Sequence, residues 1–411
     1  MMVRTLPMGL DEALRLTLGR INPLAAEDVA LQDGFNRVLA ADAYAKVDSP
    51  SIDASLKDGY AVISRQVSTA SKDRPVRLKL VGCMAAGGEQ DVAVAPDTTV
   101  RVLTGAKIPP GADAVVAEEF VSAQDDRVTF YRDAEPGRNI LPKSSDVALN
   151  QIVARRGSIL TPGLTGLLAA AGHSRLPVVR NPYVAIIATG DEVVAPGQPL
   201  PEGKLFASNI TTLGGWCRRY GMQTHLTVVR DEAEQIYTTL KRFAAEADAV
   251  VTSGGAWTGD RDLVAQILER LGWQQAFHRI RIGPGKAVGF GTLQGKPVFI
   301  LPGGPPSNLM GFLQIALPGL LKLAGRHDCR LPTANVRLAT ELTGRFADWT
   351  QFIYGTLDRG TLDRSSDLPV FNALNGPSRL RLMASAQAVV AIPEGEVVLP
   401  EGSVVSAQIL E

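Results

Sequence analysis

The segment "DAVVTSGGAWTGDRD" (residues 248–262) decides how the chain is to be read. Its apolar, β-prone start has the length of a buried strand, and Ser253, Gly254 and Gly255 turn the chain at its end. "DLVAQILERLG" then carries apolar residues at helical spacing. The unit is a strand, a polar glycine-bearing loop and a helix.

The same unit recurs on both sides. "YVAIIATG" reads as a buried strand and the stretch after Ser208 as a helix. "THLTVV" with "EAEQIYTTLKRFAAEA", and "KPVFILPGG" with "SNLMGFLQIALPGLLKLAG", repeat the pair. Such alternation predicts a mainly parallel, doubly wound sheet with right-handed crossovers and helices on both faces, over residues 181–326. Upstream, residues 44–141 carry short β-prone runs ("VRLKLVG", "TTVRVLTG", "DAVVAEE", "RVTFY") between Gly, Pro and Asp, the pattern of a β-rich insert domain. Helical patterns flank it, "GLDEALRLTLGRI" with Asp11 near its start and "GLTGLLAAAG", so residues 1–43 and 142–180 read as one discontinuous helical linker domain. Residues 327–411 return to short strands and turns, a small C-terminal β-barrel domain. The expected class is multidomain α/β and β, and 411 residues suit several cores better than one.

Composition excludes several roles. Lys and Arg (42) balance Asp and Glu (42), so no global field recruits nucleic acid or a membrane surface. No stretch approaches the ~18 uninterrupted apolar residues of a membrane helix, and the N-terminus lacks a signal-peptide pattern. Cys83, Cys217 and Cys329 are odd in number and scattered, which argues for a reducing compartment, the cytoplasm. The four histidines share no ligand spacing.

Three of the expected strands end in polar, glycine-bearing loops: "ATGDE" (188–192), "TSGGAWTGDRD" (252–262) and "LPGGPPSN" (301–308). In an open α/β sheet, ligands bind outside the carboxyl ends of the strands, where glycines admit a ligand to the backbone and N–H groups hold an anion. Turn geometry alone also uses Gly and Ser, but three such loops at one end of a sheet favour a site. Neither a G-x-G-x-x-G fingerprint nor a P-loop is present. Glu192, Asp260 and Asp262 border these loops, and carboxylates beside phosphates are the usual way of holding Mg²⁺. Asp191 and Asp260 also fit the role of helix caps or first-turn acids. Lys286 in "GPGKA" follows a tight turn and can aim a cation at the same anion or lie solvated. Trp257 can cover the crevice or fill core.

"SPSIDASLKDGYAV" (49–62), "RVLTGAKIPPGADAVVAEE" (101–119), "IIATGDEVV" (186–194), the opening loop, "GPGKAVGFG", "LPGGPPSN" and "PSRLRLMASAQAVVAIPEG" (377–395) occur in an order and spacing that resemble the MoeA family of molybdopterin molybdenumtransferases. The resemblance extends over essentially the whole chain. It implies an elongated four-domain homodimer with a molybdopterin-binding third domain. It also implies a reaction in which adenylylated molybdopterin loses AMP and receives molybdate with the help of Mg²⁺, the finished cofactor passing to recipient molybdenum enzymes. By motif, Asp58 and Thr104 would reach the active crevice from the second domain, of the partner subunit. Glu192, Asp231, Asp262, Arg279 and Lys286 would line it from the third, with Glu192 and Asp262 on the metal. Thr189, Gly190, Ser253, Gly254, Gly255, Pro302, Gly303, Pro305 and Ser307 would hold the pterin and its phosphate, and Ser378 and Arg379 fall in the C-terminal motif.

The chain departs from the family pattern inside the motifs. Ala54 and Lys57 replace the asparagine and methionine of D-N-S-A-M-D-G-Y, and Ala207 replaces the acid before Ser-Asn. Gly283 and Ala287 stand at the first lysine and last proline of K-P-G-K-P, and Gly304 at the asparagine of L-P-G-N-P. Of R-x-x-G-E-D only Lys143 and Asp146 remain. Two classes of function stay open on these residues: a working transferase for molybdate or tungstate, and a non-catalytic carrier of the pterin or finished cofactor.

Overall fold

The computed structural model describes residues 6–88, 92–254, 263–358, 368–376 and 378–411. The chain packs into two compact units, one of residues 1–27, 36–40 and 178–411, the other of residues 28–35 and 41–177.

In the first unit, four parallel strands stand side by side in the order Gln223–Val229, Tyr183–Thr189, Ala249–Ser253, Lys296–Leu301. The alternation within each strand explains the two covered faces. Val184, Ile186, Ala188 and Val251 point into one core with Ile210, Leu213 and Cys217 of the Ser208–Arg219 helix. Ala185, Ile187 and Val250 point into the other, with Ile236, Leu240 and Phe243 of the Ala233–Glu246 helix and Val264, Ile267 and Leu268 of the Leu263–Arg270 helix. Period-two burial on a strand facing amphipathic helices on both sides is the doubly wound arrangement. Two antiparallel strands, Gly289–Leu293 and Gln274–His278, extend the sheet past Lys296–Leu301. The β/α alternation did not announce this pair, because neither strand is bracketed by helices.

The helical run after Leu301 also differs from a plain helix. Pro305–Gly311 is α-helical, Phe312–Ala316 forms a π turn, and Leu317–Leu323 resumes the α form. Pro318 has no N–H to donate and its ring would crowd the carbonyl four residues back, so the backbone widens just before it.

Strands Thr333–Leu338, Thr350–Asp358, Val370–Ala373, Ala388–Ile392 and Val404–Ile409 close into a five-stranded barrel, since Thr350–Asp358 pairs with both Val370–Ala373 and Ala388–Ile392. Ile282 and Gly283 pair with Thr350 and Gln351 and so join the barrel to the α/β sheet. One helix, Arg379–Ser385, interrupts the expected strands and turns and packs against Pro305–Gly311. Leu382 and Met383 supply its inward side.

The second unit holds a six-stranded sheet in the order Ala114–Ala117, Gly59–Val62, Thr98–Val102, Val76–Met84, Arg127–Phe130, Val121–Gln124. Tyr60, Val62, Leu78, Val116 and Phe130 fill one side, and Ala61, Val100, Val102 and Val115 the other.

Candidate active site

The chain leaves Tyr183–Thr189 toward Gln223–Val229 on one side and returns to Ala249–Ser253 on the other, so the strand order reverses between Thr189 and Ser253. That reversal opens a crevice at the carboxyl ends of the strands. The register also brings the antiparallel pair to the same end: His278 lies level with Gly289, and Gly289 with Ile300. The loops after Thr189, Val229, Ser253 and Leu301, and the 279–288 loop, therefore share one end of the sheet.

Backbone contact there is close. Gly254 has φ of 104°, and a Cβ on it would stand 2.4 Å from the Thr189 carbonyl oxygen, so only glycine fits. Its N–H donates to the Leu301 carbonyl at 3.0 Å. Gly190 has φ of 145°, and its missing Cβ leaves room for the Glu192 carboxylate, whose Oε2 would be 2.6 Å away. By contrast, a Cβ on Gly304 would meet nothing within 4 Å.

Two asparagines hold the loops together. Asn308 Nδ2 donates to Ser253 Oγ at 3.0 Å and to the Pro302 carbonyl at 2.9 Å. Asn209 Nδ2 donates to Ser253 Oγ at 3.1 Å and to the Gly303 carbonyl at 2.8 Å. Neither was singled out in the sequence, although Asn308 ends the quoted "LPGGPPSN" and Asn209 follows Ala207 and Ser208; their offset from Ser253 along the chain hides the contact. Thr189 is 4% exposed and its hydroxyl has no hydrogen-bond partner among the described residues. A buried hydroxyl without a partner is uncommon and costs about 1–3 kcal/mol unless a ligand or water satisfies it.

Charge follows the loops. Burial pushes the Asp231 carboxyl up, and the neighbouring Asp191 and Glu192 carboxylates push it further. The Asp231 N–H donates to Asp191 Oδ1 at 3.3 Å. Lys204 Nζ donates to the Asp191 carbonyl. Lys286 is exposed and Arg279 half-buried, the latter with φ of 75° and its N–H on the Val288 carbonyl. Gly285, beside Lys286, sits so close to the Pro305–Gly311 helix that a Cβ would lie 3.3 Å from the Ser307 carbonyl oxygen. Pro302 and Gly303 form the turn before that helix and Pro305 opens it. Ser378 and Arg379, both exposed, begin the helix packed beside it. Gly255 and Asp262, with Trp257 and Asp260, lie outside the described residues. Among the described residues, no three His, Cys, Asp or Glu side chains group as a metal site.

In the second unit, Asp58 and Thr104 meet directly. Asp58 Oδ1 accepts from the Thr104 N–H at 2.6 Å and from its hydroxyl at 2.7 Å. The Thr104 N–H, followed by its hydroxyl, holds the Asp58 carboxyl below its ordinary value. A Cβ on the next residue, Gly59, would fall 2.2 Å from the Val116 carbonyl oxygen, so strand packing fixes where Asp58 stands.

Ala207, where the family pattern has an acid, is 4% exposed, stands at the N-terminal cap of the Ser208–Arg219 helix and packs in the core. A cavity of about 450 Å³ elsewhere in the first unit is lined by Gly9, Asp11, Arg281, Gln314 and Glu394. Arg281 there is occupied, donating to the carbonyls of Asp348 and Leu6 and to Glu394, and Arg330, which also lines the cavity, pairs with Asp11 at 3.5 Å. Of the converging loops the cavity borders the 279–288 loop, at Arg281.

Residues 8–172 match the family described as "MoeA N-terminal region (domain I and II)", and residues 185–322 that described as "Probable molybdopterin binding domain". The chain is 32% identical over 372 residues to molybdopterin molybdenumtransferase 2 of Mycobacterium tuberculosis, covering 89% of this chain and 90% of that protein. It is 32% identical over 317 residues to the molybdopterin molybdenumtransferase of Bacillus subtilis, covering 76% and 74%. A crystal structure of the molybdopterin biosynthesis moeA protein from Pyrococcus horikoshii superposes with a TM-score of 0.83 at 27% identity, over 98% of this chain and 99% of that one.

Proposed function

The chain belongs to the MoeA family of molybdopterin molybdenumtransferases, and on that premise we propose that it inserts molybdate into adenylylated molybdopterin with release of AMP. The observation that carries this reading is the cluster at the strand reversal: Gly254 against Thr189, the Ser253 hydroxyl held by two amides, and the Thr189 hydroxyl, unpartnered among the described residues. Such a place offers backbone approach and donors to a phosphate. Thr189, Gly190, Ser253, Gly254, Gly255, Pro302, Gly303, Pro305 and Ser307 would seat the pterin and its phosphate, with Ser378 and Arg379 beside the last of these. Arg279 and Lys286 would neutralise phosphate or molybdate charge, and cleaving a phosphoanhydride needs such neutralisation more than covalent help.

A divalent cation would relieve the repulsion that Asp191 and Glu192 exert on Asp231, but these three do not by themselves group closely enough to hold one. Glu192 and Asp262 would hold Mg²⁺, which would supply charge neutralisation on the pyrophosphate. Asp58, kept ionised by Thr104, would complete the site from the partner subunit of a homodimer. The four-part division at residues 44, 142, 181 and 327 belongs to the same reading. So do delivery to molybdenum enzymes and a cytoplasmic setting, which the three unpaired cysteines suit. No helix among the described residues is long and apolar enough to cross a membrane.

Purified protein given adenylylated molybdopterin and molybdate is expected to release AMP in step with molybdenum incorporation. Pterin binding without AMP release would favour the carrier role that the motif departures leave open. Mixing Asp58→Ala with Glu192→Gln protomers should restore part of the activity each lacks alone if the site is shared between subunits.

A further inference from the structure

Ser253 is 5% exposed and Asn308 1% exposed, at the point where three loops meet. Both protons of each asparagine amide are assigned by their partners. Asn308 Nδ2 divides between Ser253 Oγ and the Pro302 carbonyl, and Asn209 Nδ2 between Ser253 Oγ and the Gly303 carbonyl. Turning either amide over would set its oxygen against a carbonyl oxygen, so the amide orientation is fixed by the acceptors around it. A serine hydroxyl has two lone pairs and one proton. Both lone pairs of Ser253 Oγ thus receive N–H donors, and among the described residues its proton has no acceptor.

We propose that Asn209 and Asn308 make the Ser253 hydroxyl a committed hydrogen-bond donor to a tetrahedral oxyanion. Asn308 supplies, one helical turn onward, the amide missing from position 304. The inference rests on the reading of this end of the sheet as the pterin site and assigns two positioning residues within it. A hydroxyl whose lone pairs are filled cannot accept from a ligand and is a poor nucleophile; it selects a ligand that accepts, as a phosphate oxygen does. The departure at Gly304 then acquires a physical sense. Gly304 precedes the helix that Pro305 opens, and the Asn308 N–H donates to the Gly304 carbonyl at 2.8 Å, so positions 304 and 308 lie on one face. An asparagine at 304 would have room, because a Cβ there meets nothing within 4 Å.

The test measures binding of molybdopterin and, separately, of inorganic phosphate to the full chain and to Ser253→Ala, Asn209→Asp, Asn308→Ala and the Gly304→Asn/Asn308→Ala pair, with a melting temperature for each. Ser253→Ala should weaken both ligands about 10- to 100-fold, the range for one hydrogen bond to a charged group. Asn209→Asp offers an acceptor where a donor stood, so the Ser253 proton turns inward and binding falls by a similar factor near neutral pH. The loss should shrink as pH falls and the new carboxyl protonates, a dependence that a merely structural asparagine would not give. Asn308→Ala should weaken binding several-fold, and adding Gly304→Asn should bring it back to within about twofold.

Binding by Ser253→Ala within about twofold of the parent, or a pH-independent Asn209→Asp effect, overturns the donor assignment. Loss in Asn308→Ala without rescue overturns the substitution of 308 for 304. If Asn209→Asp fails to fold, Asn209→Ala and Ser253→Ala carry the test. A parent chain that binds phosphate but not the pterin sinks the transferase reading and leaves the donor assignment standing, provided Ser253→Ala loses the phosphate. Binding of neither ligand overturns both.

Discussion

The two ends of one parallel sheet are built on opposite terms. At the amino end, Arg180 grips Asp248 with two hydrogen bonds of 2.7 and 2.6 Å, and the Tyr183 N–H adds a third at 2.8 Å. Burial pushes the Asp248 carboxyl up, but Arg180 and the Tyr183 N–H more than offset it, and the group rests below its ordinary value. At the carboxyl end, Asp231 is driven up by burial and by two like charges, the buried Thr189 hydroxyl has no partner among the described residues, and a glycine stands where any side chain would collide. One end is satisfied by its own residues. Among the described residues the other leaves a hydroxyl unmet and charge unrelieved, the contrast expected between a scaffold and the proposed site.

The largest effect should come from Gly254→Ala. It forces a β-carbon 2.4 Å from a carbonyl oxygen at φ of 104°, so strain and overpacking together should lower stability by about 2–5 kcal/mol, read from denaturant midpoints. A near-neutral result would mean that the two loops are not locked together. Next comes Asp248→Asn at the opposite end. Losing the charged partner of a bidentate pair 14% and 41% exposed should lower stability by about 1–3 kcal/mol at pH 7, with pterin binding unchanged. Because the folded Asp248 pKa is depressed, its contribution is present above the unfolded value of about 3.9 and is lost as pH falls through the folded one. The difference between parent and variant should therefore shrink in acid.

Asp231→Asn should act in the reverse sense. A carboxyl whose folded pKa is raised detracts from stability above that pKa, so the amide should gain a few tenths of a kcal/mol at pH 7, and the gain should vanish below the unfolded value. Turnover should fall at the same time. A variant that is less stable at pH 7 would contradict the repulsion. Smallest is Gly304→Asn alone: the position is open and caps a helix, so stability should change by no more than a few tenths of a kcal/mol in thermal unfolding.

The parallel strands and the carboxyl end of this contrast were legible in the sequence; the Arg180–Asp248 pair at the amino end was not. The parallel strands followed from short apolar runs such as "YVAIIATG" between helical patterns, and the three glycine-bearing loops marked the carboxyl end. The antiparallel pair Gly289–Leu293 and Gln274–His278 was not legible, because hairpin pairing depends on partners rather than on local spacing. Asn209 and Asn308 were hidden for a related reason: 44 and 55 residues separate them from Ser253, and only the strand order brings them to it. Ala207 shows the limit of reading a motif by its polar residues. Its side chain packs into core, so a carboxylate restored there would be buried.

The contrast between the ends is tested most directly by a crystal structure of the protein with molybdopterin bound. The phosphate is expected within hydrogen-bond distance of Ser253 Oγ, between the loops that follow Thr189, Ser253 and Leu301. Pterin density in the cavity beside Arg281 and Glu394, or at the amino end beside Arg180 and Asp248, with the Ser253 loop vacant, would contradict it.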